Sequence, residues 1–101
     1  MNSFWNWAGQ YIGYRSADNL FDSDGRQIGY FAEGDEVYGC AGKYTGEIRG
    51  ANRLITNLSK KAWMRKTVDP CVLKKFPGQR DLDRKELPNG FEDFPTSTER
   101  G

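Results

Sequence analysis

The stretch LFDSDGRQIGY, from Leu20 to Tyr30, decides how this chain folds. Leu20-Phe21 opens it with two apolar residues, Asp24-Gly25 stands in the middle, and Ile28-Gly29-Tyr30 closes it. Asp-Gly between two β-prone runs marks a hairpin turn, because the turn needs φ > 0 and Gly adopts that without a Cβ clash. The same design precedes it as FWNWAGQYIGY, from Phe4 to Tyr14, and follows it as VYGCAGKYTGE, from Val37 to Glu47. A fourth version, LITNLSKKAWM, runs from Leu54 to Met64. The starts at 4, 20, 37 and 54 lie 16, 17 and 17 residues apart.

Each unit begins with an apolar pair: Phe4-Trp5, Leu20-Phe21, Val37-Tyr38 or Leu54-Ile55. Neighbours along a strand point to opposite faces, so one member of each pair is expected at a shared centre. The pattern leaves open which one. Gly9, Gly25 and Gly42 mark the turns, and Gly13, Gly29 and Gly46 form a second small position four residues later. All six are read as structural turn residues. The fourth unit has Ser59 and Trp63 instead, as capping repeats often depart from the pattern. Its alignment favours a strand over Asn57–Lys66, although propensity alone would permit a helix there. Between units stand further turn formers, Ala17-Asp18-Asn19, Gly34-Asp35 and Gly50-Ala51-Asn52. Turn signals every eight or nine residues are the spacing of short antiparallel strands. A lone hairpin is marginal in water, so the four units must share one core, and a closed array leaves no sheet edge.

The repeated G-x-x-x-G-[YE] unit, as in Gly25-Arg26-Gln27-Ile28-Gly29-Tyr30, resembles that of the bacterial 4-fold β-flower proteins over residues 4–66. The resemblance implies an all-β fold. Four antiparallel hairpins would be related by internal pseudo-fourfold symmetry, as a β-flower or small closed barrel-like array. It implies no activity, since the family has no common chemistry to carry over.

The expected organisation is a repeat domain over 1–66, a segment over 67–78 packed on it, and an irregular tail over 79–101 that is extended and mobile. All four Pro, at 70, 77, 88 and 95, lie beyond the repeats, where they interrupt ladders and helices. Val72, Leu73 and Phe76 are expected to cover part of the core.

Charge is arranged in blocks. Residues 1–53 carry five basic and seven acidic residues, a net of −2. Residues 54–80 carry seven basic residues and one acid, a net of +6, and residues 81–101 carry three basic and six acidic, a net of −3. Lys60, Lys61, Arg65 and Lys66 surround Trp63, and Lys74-Lys75 extend the block, so these six are the candidate contacts for an anionic partner. A second reading turns the same residues into an ordinary solvated face with Trp63 inward. A third folds the acidic end back on the basic block.

The chain has no His, which removes the commonest general base and metal ligand. Cys40 and Cys71 are too few for a structural zinc site and are read as reduced thiols, with a bridge between them left open. Asp22-Ser23-Asp24-Gly25 lacks the remaining ligands of a calcium loop and reads as a turn. No catalytic, cofactor or metal residue is therefore assigned. No apolar run reaches membrane-spanning length and no secretory start is visible, so a cytoplasmic address without a membrane partner is expected. The expected role is a non-enzymatic protein-interaction module, engaging itself or another protein, with the tail as one route. The alternative is a weak, sequence-tolerant nucleic-acid binder using the block 60–75. A small hydrolase with carboxylate catalysis ranks third.

Overall fold

The computed structural model describes residues 2–73 and 78–96. Seven strands follow one another as an antiparallel meander: β1 (Asn2–Asn6), β2 (Tyr11–Ser16), β3 (Asn19–Phe21), β4 (Gln27–Ala32), β5 (Glu36–Tyr38), β6 (Tyr44–Arg49) and β7 (Arg53–Asn57). β7 then pairs in parallel with β1, Trp5 opposite Arg53 and Asn6 opposite Leu54, which closes a seven-stranded barrel. An eighth strand, β8 (Phe91–Asp93), runs antiparallel to the other half of the same β7 edge.

The fourfold repeat is visible in the register. Phe4 pairs with Gly13, Leu20 with Gly29, and Val37 with Gly46. Immediately afterwards each ladder slips by one residue, leaving Ile12, Ile28 or Thr45 as the extra residue of a β-bulge. The second glycine of each unit is therefore a bulge neighbour and not a turn residue. It is small because the next unit presses on it. A Cβ at Gly13, Gly29 or Gly46 would run into the carbonyl oxygen of Phe21, Tyr38 or Ile55, the second leading residue of the following hairpin. The first glycines are the turn residues expected, with φ of +91° at Gly9, +81° at Gly25 and +92° at Gly42.

The first member of each leading pair faces the centre. Phe4, Leu20, Val37 and Leu54 form one core with Ile12, Phe31 and Phe94. The second members lie on the other sheet face, yet Phe21, Tyr38 and Ile55 are also buried. Phe21 stacks on Tyr14 with ring centroids 5.7 Å apart, and Tyr38 packs between Tyr30 and Tyr44. That double burial explains why both positions are apolar in the second, third and fourth units, while Trp5 of the first is only partly buried.

The fourth unit corrects two expectations. The strand expected over Asn57–Lys66 does not form, since β7 ends at Asn57. Asn57 accepts from the Ser59 N–H through its side chain, and Leu58–Lys60 forms a single 3-10 turn. With Ser59 where the other units have a left-handed Gly, the chain does not reverse, and it leaves the barrel. The return arm comes instead from β8, preceded by Asn89-Gly90, where Gly90 supplies φ of +85° and its carbonyl accepts from Leu58 N–H at 2.9 Å. The region 79–101 is thus not simply an extended arm. Phe91–Asp93 belongs to the sheet, and Phe94, 1% exposed, fills the core against Gly46. Asp93 ties this end to the first hairpin, accepting from Trp7 N–H at 2.7 Å and Ala8 N–H at 3.0 Å.

Candidate functional site

Between the 3-10 turn and β8 the described residues, 61–73 and 78–90, form an extended strap along the outside of the barrel. It touches the turns of hairpins three, two and one in that order, with nearly the same pair of bonds each time. On the third, Tyr44 N–H donates to the Trp63 carbonyl and Arg65 N–H to the Gly42 carbonyl. On the second, Gln27 N–H donates to Cys71 and Leu73 N–H to Gly25. On the first, Leu82 N–H donates to Gly9, while the Asp81 carboxylate replaces a carbonyl as acceptor for Tyr11 N–H. The indoles of Trp5 and Trp7 add bonds to the carbonyls of Arg80 and Glu86, each 2.8 Å. Buried Arg53 reaches from β7 to the carbonyls of Asn6, Trp7 and Asp83, joining the barrel seam to the strap.

Cations on the strap side meet carboxylates on the barrel and on β8. Lys60 lies between Glu36, at 3.0 Å, and Glu47, at 2.8 Å. Tyr38 and Tyr44 donate their hydroxyls to the same two carboxylates. The hydrogen bond to Glu47 is the main reason the Lys60 pKa rises, against the opposing effect of burial. Burial alone would raise Glu36, but the bonds from Lys60 and Tyr38 outweigh it and its pKa falls. Burial, aided by Glu47, pushes the Tyr44 phenol far above its ordinary value. Lys61 pairs with Glu92 at 2.8 Å and Arg65 with Glu33 at 3.0 Å. The Arg65 guanidinium also lies 5.4 Å from the Tyr38 ring centre.

The candidate contacts are thereby placed. Lys60, Lys61 and Arg65 each hold a carboxylate. Lys66 is exposed, borders a groove of about 580 Å³ with Arg65, Tyr30 and Phe31, and its carbonyl accepts from the Tyr30 hydroxyl at 2.6 Å. Lys74, Lys75 and Phe76 lie outside the described residues. Trp63 does not face the core: it is 46% exposed, edge-on to Tyr44, with the Lys60 ammonium 5.1 Å from its ring. The Lys61–Glu92 pair follows the reading in which the acidic end meets the basic block.

Val72 and Leu73 do not cover the core either. Val72 is 73% exposed, and Leu73 is exposed beside it. Leu58, Trp63, Met64, Leu82 and Leu87 are exposed as well, so every large exposed apolar side chain among the described residues falls within 58–87. None belongs to a barrel strand. Sequence reasoning missed this outward apolar face, because Val72-Leu73 looks the same in a core-covering segment as in an exposed one. Among the described residues no cluster of three or more Cys, Asp or Glu could hold a metal ion, and no helix is long and apolar enough to cross a membrane.

The family described as 4-fold beta flower protein matches residues 2–87. The chain belongs to that family. The match runs past the end of the repeats, so the β-flower pattern includes most of the strap as well as the hairpins. No curated protein and no solved structure matches the chain.

Proposed function

We propose that this β-flower is a non-enzymatic protein-interaction module whose docking face is the outer side of the strap. One observation carries the reading: among the described residues the large exposed apolar side chains fall within 58–87, in the 3-10 turn and the strap, and none lies in a barrel strand. Exposed large apolar side chains gathered on one segment of a small protein are a feature of contact sites. Met64 and Val72 sit in single antiparallel bridges to Lys43 and Arg26. Backbone groups alternate sides in such a pairing, so the N–H and C=O of Met64 and Val72 point away from the barrel. An extended segment of a partner protein with apolar side chains fits that edge by strand addition. The half-buried acids Glu36 and Glu47 are engaged by Lys60, Tyr38 and Tyr44, an arrangement suited to structure more than to acid–base work.

The test is capture from native lysate by wild type and by a Met64→Ser, Val72→Ser, Leu73→Ser variant with an unchanged unfolding midpoint. A partner held by wild type and lost by the variant is expected. Identical recovery by both would overturn the proposal.

The nucleic-acid reading draws support from half-exposed Trp63 and from the groove that Tyr30, Phe31, Arg65 and Lys66 line. It ranks second because Lys60, Lys61 and Arg65 would have to exchange carboxylates for phosphates.

A further inference from the structure

Cys40 lies in the third hairpin turn and Cys71 in the strap, and both are free thiols. They converge on one residue of β4. The Cys40 thiol donates to the Gln27 carbonyl at 3.7 Å. The Cys71 thiol and N–H donate to the Gln27 side-chain oxygen at 3.2 and 3.1 Å, and Gln27 N–H returns a bond to the Cys71 carbonyl at 2.9 Å. Gln27 is itself buried, so two separate parts of the chain bring their sulfurs to the same residue, Cys40 at its backbone carbonyl and Cys71 at its side-chain oxygen. Their environments differ. Cys71 is exposed and open to reagents, whereas burial, and then the charge of Cys71, raises the Cys40 pKa.

We infer that Cys40 and Cys71 form a dithiol site that reacts with small disulfides and closes a bridge pinning the strap to the barrel. The exposed Cys71 loses its proton to solvent, and its thiolate attacks one sulfur of a disulfide such as oxidised glutathione. That disulfide bond breaks, and the first glutathione leaves as a thiolate that takes up a proton. Cys40 then loses its proton and attacks Cys71 Sγ, breaking the mixed disulfide and releasing the second glutathione. Two protein thiols are oxidised and one glutathione disulfide is reduced to two thiols. The bridge fixes the middle of the strap, next to exposed Val72 and Leu73, so the surface assigned to partner binding becomes sensitive to the thiol–disulfide balance.

The experiment treats the full chain with oxidised glutathione and reads intact mass, free thiols, non-reducing mobility and the thermal midpoint. The expected product is a monomer about 2 Da lighter, without free thiol or adduct, because exchange goes on to the internal bridge. Closing this loop should raise the midpoint by roughly 10 °C, reversibly with a reducing thiol. Cys40→Ser should stop at a stable glutathione adduct on Cys71. A stable adduct on wild type, a disulfide-linked dimer, an unreacted Cys40, or a bridge that leaves the midpoint unchanged would each overturn the inference.

Discussion

Arg53 Nη2 donates to the backbone carbonyl of Asp83 at 2.9 Å, so a residue of the closing strand holds the last stretch of the strap. The same guanidinium donates to the Asn6 and Trp7 carbonyls at the barrel seam. Arg53→Met keeps much of the buried stem and removes all three bonds. The expected loss is about 2–4 kcal/mol, since hydrogen bonds from charged donors are strong, although the Asn6 and Trp7 carbonyls keep the N–H groups of Gly9 and Lys85 as donors. Denaturant unfolding measures it. Trp5 and Trp7 emission should shift red as the Arg80–Glu86 stretch detaches, and unchanged emission would show that the strap end is held without Arg53.

Two glycines should respond very differently to the same methyl group. At Gly13 a Cβ would meet the Phe21 carbonyl, a backbone atom that cannot swing away. At Gly50 it would meet nothing within 4 Å, and only the φ of +76° opposes it. Gly50→Ala is expected to cost about 1 kcal/mol. Gly13→Ala should cost at least about 3 kcal/mol, because two packed hairpins must separate. Equal unfolding midpoints would contradict the close approach of neighbouring units.

The end of the chain should be indispensable as far as Phe94. Phe94→Ala is expected to cost about 3–5 kcal/mol through the cavity it leaves. Stopping the chain at Asn89 removes Gly90, β8 and Phe94 together, and cooperative thermal unfolding should disappear. Retained cooperativity in the chain ending at Asn89 would show that β7 tolerates an open edge.

The Lys60 cluster sets a pH window. Glu36 has a lowered folded pKa, so its contribution is present above about pH 4.5 and is lost as pH falls through the folded value. Lys60 and Tyr44 have raised folded pKa values, so theirs are present below about pH 10 and are lost as pH rises beyond it. The stability profile should have a plateau between these limbs. In Lys60→Met, burial acts on Glu36 without its counter-ion, its pKa should rise, and the acid limb should flatten or reverse. Denaturant midpoints from pH 3 to 11 for both chains test this, and superimposable acid limbs would remove Lys60 from the explanation.

Nucleic-acid binding has its own signature. With about four to six phosphate contacts, affinity would fall by roughly two to three orders of magnitude between 50 and 200 mM salt. The expectation is no binding tighter than micromolar at physiological salt, because three of the candidate cations already hold carboxylates. A submicromolar dissociation constant, abolished by changing Lys60, Lys61, Arg65 and Lys66 to Gln, would falsify the preference for a protein partner.

The barrel was legible in the sequence because its signals are local. Gly9, Gly25 and Gly42 announce turns by their backbone freedom, and the spacing of 16 or 17 residues announces equal hairpins. The role of Gly13, Gly29 and Gly46 was half legible: smallness showed, but the carbonyl pressing on each belongs to the next unit. β8 was not legible, since Phe91-Glu92-Asp93 is short and unlike the other return arms. The strap hooks were hidden for a different reason. Trp63, Cys71 and Gly9 take part through backbone carbonyls, which every residue possesses. The basic run was visible, but its neutralisation joins Lys60 to Glu36 and Glu47, 24 and 13 residues away.

The shared edge of β7 bears on how the protein is born. The first hairpin can form early in synthesis, yet the β7 edge that it shares is completed only by β8. Asn6 and the Phe94 carbonyl that its side chain contacts are separated by 88 positions. Until Phe94 has left the ribosome, the nascent barrel exposes an unpaired border and an unfilled centre. The centre is therefore filled only once β8 and Phe94 have been made, and a second nascent chain offering its own Phe91–Phe94 could occupy the gap first. Concentration during synthesis, more than final stability, would then govern how much of the protein matures as a monomer.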